Sequence, residues 1–127
     1  MPRPCKERYI SATPVTTVFQ PNGIEQSSST ILLTEDEFEA LRLADLLGYE
    51  QGESAIAMNI SRQTFGRILE HAHTKVADAL VNGKQIEIGG GKVVHTRRRQ
   101  IHCAKCQRRW EVPQREVKSF HCPHCQD

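Results

Sequence analysis

The stretch QGESAIAMNISRQTFGRIL, residues 51–69, combines the features that a helix-turn-helix requires. Ala55 supplies a small side chain where a second helix packs closely. Asn59 stands at the turn, where a residue tolerant of left-handed backbone is needed. Ile60 is the buried aliphatic after the turn, and Ser61 can cap the second helix with its hydroxyl. Phe65 and Ile68 continue the apolar spacing. The pattern predicts a second helix from Ser61 to about Val81, stopped by Asn82-Gly83. Phe65, Ile68, Leu69, Ala72, Val76, Ala79 and Leu80 fall on one arc of about 120°. Gln63, Thr64, Arg67, His71 and Thr74 fall on the opposite side. Such a polar set suits base edges: Arg pairs with guanine, Gln with adenine, and Thr touches a thymine methyl or a phosphate. A solvated helix pair in some other bundle would satisfy the same spacing.

Upstream, Thr34 and Glu37 form a capping box that opens another helix, with Glu35, Asp36 and Glu37 at the positive end of its dipole. Ala40, Leu41, Leu43, Ala44 and Leu47 share an arc of about 160°, and Glu39, Arg42 and Asp45 lie outside it. Gly48 is the expected stop. Thr16–Gln20 is a short strand candidate, ended by the Pro21-Asn22-Gly23 turn. Residues 84–95 alternate around Gly89–Gly91 and predict a β-hairpin. The expected fold class is therefore mainly α: a helix-turn-helix bundle with a short β-hairpin, plus a small C-terminal zinc-ribbon-like β module. Three regions follow: an N-terminal arm and short strand over 1–33, a helix-turn-helix domain with trailing hairpin over 34–96, and a basic four-cysteine module over 97–127.

The segment Leu33–Lys84, with SRQTFGRILE as its most specific part, resembles an uncharacterised family of small prokaryotic proteins. Its members are predicted to carry a helix-turn-helix akin to region four of sigma factors. The opening PRPCKER and the FQPNGI segment resemble that family too, so the likeness covers roughly residues 1–92. It implies sequence-specific DNA binding in transcriptional control. The family's recognition-helix positions map onto Ser61, Arg62, Gln63, Thr64 and Arg67. Asn59 departs from the Gly that many such motifs carry. The tail after residue 97 lies outside the resemblance.

That tail holds two CxxC pairs, Cys103 with Cys106 and Cys122 with Cys125, separated by 15 residues. Two such knuckles predict a tetrahedral four-thiolate metal site, closed and structural, with no open position for catalytic water. Zinc is the expected ion, and mononuclear iron the alternative that tetrahedral sulfur also suits. Arg108–Val112 and Val117–His121 are the expected strands of a hairpin that joins the knuckles. Trp110 is expected in its small core. Arg97, Arg98 and Arg99 are candidates for sequence-independent phosphate contacts.

Composition sets the outer bounds. The chain has 127 residues, 38% hydrophobic and 25% charged, enough apolar material for a modest core. Residues 1–91 carry 8 Lys/Arg against 12 Asp/Glu, whereas residues 92–127 carry 9 against 3. A basic tail beside an acidic body points to a polyanionic partner. No apolar run approaches a membrane span, and the N-terminus lacks the apolar centre of a secretory signal, so a cytoplasmic protein is expected. No nucleophile–base pair, phosphate-binding loop or open metal site is visible, so no enzymatic activity is expected. Double-stranded DNA is the expected partner, with the transcription machinery and a second copy of the chain as further partners, and no membrane. Two other classes stay open: a metal- or redox-sensing switch built on an iron- or zinc-thiolate site, and an RNA- or protein-binding adaptor using the ribbon.

Overall fold

A computed structural model describes residues 7–23, 29–107 and 109–113. The described chain runs β1 (Arg8–Ile10), β2 (Val18–Phe19), β3 (Thr30–Leu33), α1 (Glu35–Leu41), a π-helical turn (Arg42–Leu46), α2 (Gln51–Met58), α3 (Arg62–Asn82), β4 (Gln85–Ile88), β5 (Val93–His95), β6 (Arg98–His102) and β7 (Arg109–Pro113). Three α-helices and seven strands in three small sheets, counted among the described residues, make this an α+β protein. The expected mainly α bundle is thereby overturned. Strands of two to five residues, most of them paired with chain-distant partners, leave little period-two signal for a sequence to reveal.

The expected hairpin over 84–95 is also replaced. β4 lies between β2, antiparallel to it, and β3, parallel to it. β5 leaves that sheet and pairs in parallel with β1. The glycines between them carry the chain across the start of α1. Gly90 C=O accepts from Glu35 N–H at 3.1 Å. Gly91 has φ +94°, and a Cβ there would lie 3.0 Å from Asp36 Oδ1, so this crossing requires glycine.

Two apolar clusters hold the layers. Ala40, Leu43, Ala55, Met58, Phe65 and Ile68 pack α1, the π-helical turn, α2 and α3 together. Leu33, Ala72 and Ile88 join the three-stranded sheet to α3. Burying a side chain such as Phe65, which is fully enclosed, contributes about 1.5–3 kcal/mol.

Helix α1 opens as its sequence dictates, with Thr34 N–H donating to Glu37 Oε1 at 2.9 Å. It then widens: Leu47 N–H donates to Arg42 C=O, five residues back. The extra residue per turn breaks the regular phase, and Leu47 points outward at 41% exposure. Glu39, which spacing leaves outside the apolar arc, is fully buried because β1 and the β6–β7 hairpin cover that face.

Of the two strands expected in the tail, Arg108–Val112 corresponds to β7, which forms a hairpin with β6. Its register pairs Ile101 with Trp110 and His102 with Arg109. Val117–His121 lies outside the described residues. Among the described residues, no helix is long and apolar enough to cross a membrane.

Candidate nucleic-acid interface

α2 ends at Asn59, which adopts the left-handed conformation with φ 57° and ψ 45°. Ile60 N–H donates to Ala55 C=O at 3.0 Å and closes the helix end. Ser61 then caps α3, its Oγ accepting from Thr64 N–H at 3.0 Å. Only residues 59–61 separate the two helices. Ala55 is 3% exposed at the contact, so its small side chain is used as the spacing predicts. Gln51 Nε2 reaches across to donate to Arg62 C=O at 3.3 Å. A Cβ at Gly66 would meet the flexible end of that same Gln51 side chain, so glycine there leaves room for the amide to reach Arg62.

On α3, Phe65, Ile68, Ala72 and Ala79 are buried and Leu69 and Val76 half-buried. Leu80 departs from the expected arc and is 78% exposed. Ser61, Arg62, Gln63, Arg67, His71 and Thr74 are all exposed, and Thr64 is half-buried. Gln63, Arg67, His71 and Thr74 follow each other at helical spacing along about 16 Å of helix. Among the described residues neither the Arg62 nor the Arg67 guanidinium has an ion-pair partner. Other polar residues of α3 are engaged internally. Lys75 Nζ donates to Leu32 C=O at 2.8 Å and to Glu37 Oε1 at 2.7 Å. His73 Nε2 meets Asp45 Oδ2 at 2.7 Å, which ties α3 to the π-helical turn. Lys84 pairs with Asp78 at 3.0 Å, and hydrogen bonds from Asn82 and Lys84 hold the Asp78 carboxyl below its ordinary range.

The triple arginine divides. Arg97 is exposed. Arg98, expected at phosphate, is 3% exposed and turned into the protein, where it meets Glu39 and lies 3.3 Å from Glu111. Its Nη2 also donates to Tyr9 C=O at 2.6 Å. A guanidinium so engaged is not free for DNA. The Arg99 side chain is outside what is described.

The group around Arg98 is the feature that spacing did not show. Arg42 Nε donates to Glu39 Oε1 at 2.7 Å, and Arg42 Nη2 to Glu111 Oε1 at 3.0 Å. Ser11 N–H donates to Glu39 Oε2 at 2.9 Å. Burial works to raise the Glu39 carboxyl, but the Arg42 hydrogen bond and the Arg98 charge outweigh it and hold the group below its ordinary value. Arg42 is likewise held above the usual arginine value by Glu39 and Glu111, against burial. A one-dimensional pattern gives no sign that two glutamates and two arginines, 72 positions apart at the extremes, will neutralise each other inside.

Cys103 and Cys106 lie on the turn that joins β6 to β7, both half-buried. Gln107 closes it with φ 65° and donates its N–H to Cys103 C=O at 2.8 Å. Cys122 and Cys125 lie outside the described residues. Among the described residues no group of three or more His, Cys, Asp or Glu is arranged to hold a metal ion.

The site is thus an exposed polar stripe on a long helix, packed by a tight turn onto a shorter one, within an α+β domain. Residues 1–96 match a protein family described as a protein of unknown function, DUF134, and the chain belongs to that family. It is similar to a UPF0251 protein of Methanosarcina mazei, 44% identical over 122 residues, which is 94% of this chain and 72% of the relative. UPF0251 protein CT1277 of Chlorobaculum tepidum is 40% identical over 98% of this chain and 64% of its own length. A UPF0251 protein of Desulfosudis oleivorans is 42% identical over 98% of this chain and 93% of its own. These alignments run past residue 96, so the tail belongs to what these relatives share with the chain. No solved structure matches.

Proposed function

We propose that the protein binds double-stranded DNA in a sequence-specific manner through α3 and acts in transcriptional control in the cytoplasm. The observation that carries this reading is the exposed line of Gln63, Arg67, His71 and Thr74 on a helix seated by a three-residue turn. In this role α2, the turn and α3 work as a helix-turn-helix set within the α+β domain. Arg67 donates two hydrogen bonds to a guanine edge and Gln63 pairs with adenine. Ser61, Arg62 and Thr64, at the start of α3, meet phosphate, where the positive end of the helix dipole adds attraction. Arg97 adds a phosphate contact without base readout.

The donor set of the tail suits a metal held by sulfur. Cys103 and Cys106 share one tight turn, and with Cys122 and Cys125 they would complete a four-thiolate site. Zinc there would be structural, and we infer a binding protein rather than an enzyme. The experiment is selection of duplexes from a random pool with the full chain, with metal content measured on the same preparation. Enrichment of one motif is expected, with one zinc per chain and no visible colour. Recovery of RNA over duplex DNA in competition would favour an adaptor, and visible thiolate–iron absorption would favour a redox site.

A further inference from the structure

The C-terminal end of α3 exposes apolar surface far from the start of the polar stripe. Gly83, with φ 64°, ends the helix and turns the chain into β4. The last turn of α3 therefore lies beside β2, an outer strand of its sheet among the described residues. Phe19 of β2 pairs with Ile86 of β4, and these two enclose a groove of about 270 Å³ together with Pro21, Ala79 and Leu80. Leu80 projects at 78% exposure, its neighbour Val81 is 81% exposed and Phe19 53%. Single exposed aliphatics are ordinary, but a groove with apolar side chains standing at its edge marks a contact surface. Lys84, which also borders the groove, pairs with Asp78 at 3.0 Å, so the rim carries both signs of charge.

We propose that this face docks a second copy of the chain about a two-fold axis, and that the protein reads DNA as the resulting dimer. Three features select another copy as the occupant. The patch is self-complementary, because it holds a projecting Leu80 next to a groove, and a two-fold axis sets the Leu80 of each copy against the groove of the other. The rim is self-complementary in charge, because the same axis can bring the Lys84 of one copy to the Asp78 of the other without opposing like charges. The position also suits DNA. The middle of the Gln63–Thr74 stripe lies about 12 residues from Leu80, or ~18 Å along the helix. Two copies joined at Leu80 therefore centre their stripes roughly 36 Å apart, close to the 34–36 Å of one turn of the duplex. This last point rests on the DNA-binding role proposed above, whereas the docking face stands on the patch itself.

The test uses sedimentation of the full chain and of Leu80→Glu, from dilute to concentrated solution, free and with the selected duplex. The parent is expected to approach twice the 14.4 kDa of one chain and to bind two copies per duplex, on half-sites 10–10.5 base pairs apart. Leu80 is exposed, so Leu80→Glu is expected to keep the helical circular dichroism and melt of the parent while sedimenting as a monomer. Its affinity for the two-half-site duplex is expected to fall about 100-fold or more, and its affinity for a single half-site to stay unchanged. Phe19→Glu, on the other side of the groove, is expected to behave alike and serves in its place should Leu80→Glu not fold. A parent chain that stays monomeric both free and on the duplex, or a folded variant that still pairs, overturns the proposal. A dimer that these substitutions break, but that enriches no duplex, upholds the docking face and overturns the DNA-reading role.

Discussion

Replacing Arg98 with Met tests how the tail is joined to the body. The Arg98 side chain is 3% exposed and Glu39 fully buried, so the variant leaves a charged carboxylate inside with one fewer cation. Removing one partner of a buried pair costs about 3–5 kcal/mol. Arg42 stays on Glu39 at 2.7 Å, which places the expected loss near the lower end, ~3 kcal/mol. Met matches much of the arginine stem in volume, so little of this is cavity. With a urea slope of ~2 kcal/mol per molar, the midpoint should fall by about 1.5 M. The assay is urea denaturation followed by helical circular dichroism. The Arg98→Met, Glu39→Leu double variant should recover most of the loss, because the charge left without its partner is gone. A single variant within about 0.5 kcal/mol of the parent would refute the reasoning, since surface substitutions behave that way.

Other outcomes follow from the same geometry. Glu39 has a folded pKa below its ordinary value of 4.5, so its contribution to stability is present above that value and is lost as pH falls below it. Midpoints measured from pH 6 down to pH 3 should decline more steeply for the parent than for Glu39→Gln, and parallel curves would contradict the assignment. Ser61→Ala removes the cap on Thr64 N–H and should cost about 1 kcal/mol in a thermal melt, whereas Ser61→Asp should cost little. Arg97→Ala should weaken DNA binding evenly across sequences and reduce the salt slope by about 1. An unchanged slope would place Arg97 away from phosphate.

Much of α3 and its turn was legible because their requirements are local. Asn59, Ser61 and Gly83 hold the backbone roles that their chemistry suits, and Phe65, Ile68 and Ala72 lie inward at helical spacing. The polar stripe was legible for the same reason. What stayed hidden depends on distant chain. Residues 84–95 alternate as a hairpin would, yet β4 and β5 find partners upstream in β3 and β1. Glu39 and Arg42 fall outside the apolar arc of α1. Amphipathic spacing registers an apolar face but not a polar face that opposite charges will cover. Arg98 falls in a basic run with its neighbours, yet exposed Arg97 precedes β6 whereas the Arg98 side chain, at the start of that strand, is turned inward. Leu47 was misplaced by a π-helical turn, which breaks the regular period without a proline to announce it.

The most direct test of the DNA-reading role is a titration of Arg67→Ala against the duplex selected by the parent chain and against a duplex scrambled in sequence. The expected result is a loss of about 1–3 kcal/mol on the selected duplex, with little change on the scrambled one. Equal affinities of parent and variant for the selected duplex would contradict the claim that the exposed side of α3 reads bases.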